Sequence, residues 1–174
     1  MKSLTSKPPS PSRPSLPPGY GIKPPTEGRL IDWPSVEAKL TSAHNYWLVT
    51  SSPQGTPHAA PLWGLWHEGS FFFGTDPSSM KAVNISRNNA VVVHLESGDD
   101  VVILEGKARQ LLGEALATRL DKAYRQKYGF PLQGNPIYGV QVDTAFAWAE
   151  SDFPESATRW RFPSSEHSLN RSGT

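Results

Sequence analysis

Cysteine is absent from this 174-residue sequence, and no apolar run approaches the roughly 18 residues that a membrane-spanning helix needs. The lack of cysteine excludes disulfides and thiolate metal sites. The five histidines show no metal-ligand spacing, so we expect no metal site. The first residues also lack the apolar centre of a signal peptide, and we therefore expect a cytoplasmic protein.

An excess of charge of either sign is also missing. The formal net charge is +1, which provides no electrostatic basis for binding nucleic acid or a membrane surface. The chain is long enough to form one domain with a well-filled core.

Proline and serine, in contrast, are concentrated at the amino terminus. Residues 1–27 contain too few apolar side chains to offset the entropy of ordering, so we predict a disordered arm or one strapped onto the domain. Binding to a proline-recognising module and contact with a partner subunit remain alternatives. We place the domain at residues 28–162 and a polar tail at residues 163–174.

Strand-like segments dominate the centre of the chain and predict a mainly β protein with a few helices. A Pro- and Gly-containing turn separates Tyr46–Ser51 from His58–Trp66 and indicates a hairpin. Because these strand segments are largely apolar, they suggest a sheet closed on itself or against a second copy. The further predicted strands are Phe71–Thr75, Ala90–Glu96, Val101–Gly106, Ile137–Val142, Thr144–Ala149 with a bend near Asp143, and a short one within 157–162.

Two helices are predicted on either side of these strands. Asp32 and Pro34 are typical of a helix start, and this helix should end near Ala43. Residues 113–128 carry apolar side chains at three- and four-residue spacing, with Gly129 as the carboxyl-terminal cap. We expect that stripe to pack against the barrel.

The stretch from Thr75 to Arg87 carries the clearest chemical signal. Asp76 and Pro77 can begin a helix, which would bring free amides, hydroxyl groups and the Lys81 ammonium together at the end of a strand. A phosphate needs this combination of donors and positive field. The alternative is a solvated helix start with a surface lysine.

Several short motifs resemble the pyridoxamine 5′-phosphate oxidase-like superfamily. They are Gly55-Thr56-Pro57, Ser79-Met80-Lys81, and Asn84 and Asn89 before the strand at Ala90. The resemblance spans residues 30 to 162 and implies a split antiparallel β-barrel. Members are typically homodimers that bind FMN or a deazaflavin, coenzyme F-420, at the subunit interface.

The resemblance also implies positions for a cofactor. It places Ala60, Pro61, Leu62 and Trp63 along the ring system. Gly74 and Thr75 fall at the phosphate or ribityl chain, and Ser79, Met80 and Lys81 fall at the phosphate. Arg87 could reach the same anionic region, and Trp160 with its flanking arginines could meet the cofactor across the interface.

His58 is the candidate catalytic residue, as a proton donor to a reduced substrate or a hydrogen-bonding partner of the ring. The alternative is a strand histidine that faces solvent or the interface.

Departures from the pattern of true pyridoxamine phosphate oxidases affect the expected substrate. Ala60 and Met80 replace phosphate-binding arginines, Leu65 replaces a substrate-binding lysine, and Val101 replaces a cofactor-contacting glutamine. We therefore expect no vitamin B6 oxidation. The segment from Gly55 to Gly64 is more similar to the actinobacterial branch that uses coenzyme F-420 or sometimes FMN.

These observations predict a homodimeric oxidoreductase that binds FMN or coenzyme F-420 and transfers hydride to or from a small organic substrate. The alternative is a non-catalytic carrier of a flavin, deazaflavin or haem, and a scaffold with an empty cleft is a third possibility. We expect neither nucleic acid nor a membrane as a partner.

Overall fold

The computed structural model describes residues 9–132 and 134–163. This part of the chain is mostly antiparallel sheet with four α-helices, as the sequence predicted. The helices are α1 Trp33–Ser42, α2 Met80–Arg87, α3 Glu114–Tyr128 and α4 Phe153–Ser156. The strands are β1 Pro11–Ser12, β2 Tyr46–Ser51, β3 Pro57–Leu62, β4 Leu65–His67, β5 Ser70–Gly74, β6 Ala90–His94, β7 Asp100–Gln110, β8 Ile137–Ala149 and β9 Thr158–Arg161. No helix in these described ranges is long and apolar enough to cross a membrane.

The strands follow the spatial order β1-β9-β8-β7-β6-β2-β3. Strand β8 is long enough to pair with β7 on one side and with two strands in succession on the other. Its first half pairs with β5, and its second half pairs with β9. The sheet therefore divides at β8, and β4 extends the β5 branch.

A β-bulge bends the sheet in the middle of β8. Glu105 pairs with Thr144 and Gly106 with Val142, so Asp143 has no partner position on β7. The predicted bend near Asp143 is confirmed. A Cβ atom on Gly106 would lie 2.1 Å from the Gln141 carbonyl oxygen, so this close approach requires glycine.

Helix α1 closes one end of the main hydrophobic core. The Asp32 carboxylate caps it by accepting a hydrogen bond from the Ser35 amide at 2.8 Å, and Ala43 is the carboxyl cap. Val36 and Leu40 are fully buried on one face. The predicted start and end of this helix are confirmed.

Helix α3 packs on the other branch of the sheet. Its buried residues are Leu120, Tyr124 and Tyr128, which form a second apolar cluster with Leu65 of β4 and Phe72 of β5. Gly129 ends the helix with φ of 77°, a left-handed conformation that glycine adopts without strain. The predicted packing of this stripe against the barrel is confirmed.

The prediction of one strand from His58 to Trp66 is wrong, because Trp63 and Gly64 interrupt the strand and separate β3 from β4. The Gly64 backbone N–H and C=O bond to the Tyr128 hydroxyl at 3.1 and 2.8 Å instead of to a neighbouring strand. A Cβ atom on Gly64 would also lie 2.3 Å from the Phe71 ring. A contact with a helix more than sixty residues later therefore sets this break.

The described part of the amino-terminal arm is strapped onto the domain, which is the second of the two predicted alternatives. Pro11 and Ser12 pair with β9, which would otherwise be an open edge of the sheet. The Arg13 guanidinium donates to the Ala157 carbonyl at 2.8 Å. Further along, Lys23 forms an ion pair with Glu155. Residues 1–8 and most of the predicted tail, residues 164–174, lie outside the described residues.

Candidate functional site

The turn from β5 into α2 gathers several hydrogen-bond donors. Ser79 caps the helix, and its hydroxyl accepts a hydrogen bond from the Ala82 amide at 3.4 Å. The Thr75 hydroxyl lies 3.1 Å from that of Ser79. Asp76 does not begin the helix as predicted. Its carboxylate accepts from the Ser78 hydroxyl and amide instead, which lowers its pKa.

Lys81 lies in the first turn of α2 and is partly buried. None of the ion pairs found within residues 9–132 and 134–163 involves it. The first amides of a helix have no intrahelical acceptor, so those of Met80 and Lys81 remain available to a ligand. Together with the Thr75 and Ser79 hydroxyls, these groups form a donor set that fits a phosphate.

Two side-chain hydrogen bonds hold α2 along β2. The Asn84 amide donates to the Thr50 hydroxyl at 3.1 Å, and the Asn88 amide donates to the Ser51 hydroxyl at 2.8 Å. The helix and the strand therefore run in the same general direction. Lys81 lies one turn before Asn84 on the same helix face.

Strand β3 lies beside this part of β2 and carries the predicted ring-binding residues. Leu48 of β2 pairs with Ala60, and Thr50 pairs with His58. His58, Ala60 and Leu62 share the inner face of the sheet, since side chains alternate along a strand. The exposed residues of the opposite face are Pro57, Ala59 and Pro61. Both β3 and α2 therefore neighbour β2, β3 by strand pairing and α2 through the Asn84 and Asn88 hydrogen bonds.

His58 has an unsatisfied polar atom in this region. Its Nδ1 is buried and has no hydrogen-bond partner within the described residues. Such an atom calls for a partner, because a buried polar group without a hydrogen bond is costly.

Two predicted cofactor residues lie away from this group of donors, and a third, Met80, contributes its backbone amide to the group but has an exposed side chain. Arg87 is six residues after Lys81, about 9 Å along the helix axis. The Met80 side chain is 58% exposed. Trp160 is fully buried in the main core, where its ring meets that of Trp33 at 5.4 Å, so we leave it out of the candidate site.

Gly74 is the last residue of β5 and immediately precedes Thr75. Its partner across the sheet is Ile137 of β8. It therefore lies next to the donor set, where the resemblance places it.

A cleft of about 410 Å³ lies beside β2, β6, β7 and the bulge of β8. Its lining includes Val49, Ser51, Val92, Lys107 and Asp143. Val49 and Ser51 alternate along β2 with Leu48 and Thr50, which are buried on the face toward α2. The lining also includes Thr50, which pairs with His58 and accepts a hydrogen bond from Asn84 of α2, so the cleft borders the candidate site.

Trp63 follows β3 and is 39% exposed. Its indole stacks on the Tyr128 ring at 4.8 Å with an interplanar angle of 6°. The Phe130 ring lies 6.1 Å away and is 59% exposed, and the His44 ring lies 5.6 Å away. These four rings form an aromatic ledge at the end of the predicted ring-binding segment.

Lys127 lies beneath this ledge and was not identified from the sequence. Its Nζ donates to the Tyr46 hydroxyl at 2.7 Å and to the Gly64 carbonyl at 3.3 Å. The same ammonium group lies 4.8 Å from the Tyr46 ring centroid and 5.3 Å from that of Tyr128. Burial lowers its pKa to about 8, and burial also raises the pKa of Tyr128 to about 12. Sequence spacing gave no signal, since Tyr46 and Gly64 are 81 and 63 residues away.

Comparison with known protein families identifies the family of this chain. The family described as pyridoxamine 5′-phosphate oxidase matches residues 33–151, which include α2, β3 and the aromatic residue Trp63. The chain belongs to this family. A comparison with curated proteins found no match.

Solved structures of this family's fold confirm the split barrel. The conserved hypothetical protein Rv2991 from Mycobacterium tuberculosis is 21% identical with a TM-score of 0.62, covering 68% of this chain and 85% of that protein. An F420 reductase is 21% identical with a TM-score of 0.52, covering 63% and 94%. HutZ, the heme storage protein from Vibrio cholerae, is 14% identical with a TM-score of 0.58, covering 66% and 93%.

Proposed function

We propose that this member of the pyridoxamine 5′-phosphate oxidase family is an oxidoreductase that binds FMN or coenzyme F-420. In this proposal it transfers hydride to or from a small organic substrate. The observation that carries the proposal is the donor set of Thr75, Ser79 and Lys81 at the start of α2. A phosphate group, which both cofactors contain, fits these donors. The likeness in fold to an F420 reductase supports the same class of cofactor.

Different residues of the site would hold different parts of the cofactor. The phosphate would be held by Thr75, Ser79 and Lys81, and the ring system would lie along Ala60–Trp63. A bound flavin or deazaflavin supplies the hydride chemistry. The apolar side chains of Ala60 and Leu62 would exclude water from the ring.

His58 has a proposed role in this arrangement. The buried Nδ1 would gain a hydrogen-bond partner from the ring or the substrate, and the imidazole could then hold or donate a proton there.

We also propose that the functional unit is a homodimer. Strand β3 pairs only with β2 within the described residues, so its other edge has unpaired backbone groups. Its outer face exposes the apolar residues Ala59 and Pro61. A second copy would cover this edge and enclose the ring-binding segment.

A non-catalytic carrier is the second candidate function. HutZ shares the fold and is described as a heme storage protein, and His58 offers an imidazole nitrogen without a partner. In a carrier, the same site would bind its ligand without turning it over.

Parallel titrations of the purified protein with FMN, coenzyme F-420 and haem test these functions. Tryptophan fluorescence and thermal unfolding report binding, and a ligand at a hundred times its Kd should add about 2.7 kcal/mol to the free energy of unfolding. Turnover of the bound cofactor with enones, quinones and nitro compounds then separates enzyme from carrier. Binding of haem alone would support the carrier, and absence of binding to FMN and F-420 would rule out the proposed oxidoreductase.

A further inference from the structure

The aromatic ledge offers exposed rings, and Lys127 offers an ammonium group. A single small ligand with a ring and a negative charge would contact both. The exposed rings of Trp63 and Phe130 offer flat apolar surface on which another ring can stack. Tyr128 joins this surface to the ammonium group, since its ring stacks on Trp63 and lies 5.3 Å from Nζ of Lys127.

The ammonium group of Lys127 has no anionic partner in the part of the chain that the structure describes. Among residues 9–132 and 134–163, no carboxylate forms an ion pair with it. Burial is the sole cause of its lowered pKa, which agrees with the absence of a nearby negative charge. Lysine has three N–H donors, and two of them are directed to Tyr46 and Gly64. The third donor has no partner within the described residues.

We propose that His44, Trp63, Lys127 and Phe130 form a subsite for a planar aromatic anion, such as an aromatic carboxylate or phenolate. The ligand ring stacks on Trp63 and Phe130, and its negative charge accepts a hydrogen bond from Lys127. The Tyr46 hydroxyl accepts a hydrogen bond from the lysine, and the Tyr46 and Tyr128 rings lie 4.8 and 5.3 Å from its Nζ. The inference rests on the proposed function where it identifies this ligand as the substrate. In that function the cofactor ring lies along Ala60–Trp63, and the subsite adjoins the end of this segment at Trp63.

The test uses 2-naphthoate and the neutral 2-naphthamide, which have the same ring system. Both are titrated against the cofactor-free protein by calorimetry and tryptophan fluorescence, so the result does not depend on whether FMN or F-420 binds. The naphthoate should bind at least about tenfold more tightly than the amide, the ratio typical of one charge-assisted hydrogen bond.

Variants identify the group responsible. Lys127→Met should remove most of the preference for the anion, whereas Lys122→Met, at an exposed position of the same helix, should keep it. Trp63→Leu should weaken the binding of both ligands and leave the ratio of their Kd values unchanged. Thermal unfolding of each variant shows that it is folded.

Two results would overturn the subsite. One is equal binding of the naphthoate and the amide by the unmodified protein. The other is an anion preference that survives in folded Lys127→Met protein. Neither result would affect the FMN and F-420 titrations, so the two proposals can fail separately.

Discussion

At the scale of single residues, two lysines of this chain are each placed beside hydroxyl groups but in different settings. Lys81 lies at the start of a helix, where free amides and two hydroxyls add to its positive field. Lys127 lies at the end of another helix between two phenol rings. The first setting is suited to a phosphate, and the second leaves a partly buried charge that has no counter-ion among residues 9–132 and 134–163.

Replacing Lys81 tests the phosphate site directly. Lys81→Ala should weaken binding of FMN or F-420 by roughly 1.5–3 kcal/mol, the scale of a hydrogen bond to a charged group. The measurement is the Kd of the cofactor, with Lys122→Ala as the matched exposed lysine. An unchanged Kd in folded Lys81→Ala protein would show that the phosphate lies elsewhere.

The pH dependence of stability tests the setting of Lys127. Burial lowers its pKa from 10.5 to about 8, so between these pH values the unfolded chain binds more protons than the folded chain. The free energy of unfolding should therefore rise with pH across this window, relative to Lys127→Met protein. Urea unfolding of both proteins at pH 7, 8, 9 and 10 measures the difference. A difference independent of pH, as expected for Lys122→Met, would contradict the assignment.

At the scale of elements, the bulge at Asp143 allows one strand to serve both branches of the sheet. Strand β8 pairs with β5 before the bulge and with β9 after it. Gly106 makes the bulge possible, because no side chain fits beside the Gln141 carbonyl.

Gly106→Ala should consequently destabilise the fold by about 1–3 kcal/mol, the usual cost of forcing extra atoms into a packed structure. The backbone would have to shift, because the clash is with a carbonyl oxygen at 2.1 Å and not with a flexible side chain. Gly98→Ala is the control, since a Cβ atom there meets nothing within 4 Å. Equal unfolding midpoints for the two variants in urea would contradict this role.

At the scale of the whole molecule, the two outer edges of the main sheet differ. The β9 edge is covered by the chain's own amino-terminal arm through Pro11, Ser12 and Arg13. The β3 edge has no such cover within the described residues. This asymmetry favours association through β3.

Sedimentation of the purified protein should therefore give twice the mass of one chain. Ala59→Arg, on the exposed face of β3, should shift the population toward the single chain by placing two like charges near each other. Ala38→Arg, on the exposed side of α1, should leave the mass unchanged. A single-chain mass for the unmodified protein at micromolar concentration would contradict the proposed dimer.

Much of the fold could be predicted because its signals are local. Asp32 caps α1 three residues before the amide it binds, and the stripe on α3 repeats every three or four residues. The same holds for the donor set of the candidate site, since Thr75 and Ser79 are four residues apart. Such patterns can be read from a sequence because the interacting groups are neighbours in the chain.

The sequence by itself therefore determined the fold class, the main helices, the bend at Asp143 and the local grouping of Thr75, Ser79 and Lys81, but not the residue at which α2 begins. Tertiary structure alone decided the break at Gly64, the docking of the arm on β9 and the surroundings of Lys127. Each of these depends on a contact across 63 to 147 residues. The physical reason is that hydrogen bonding and burial act through space, and sequence spacing reports only contacts within a few residues.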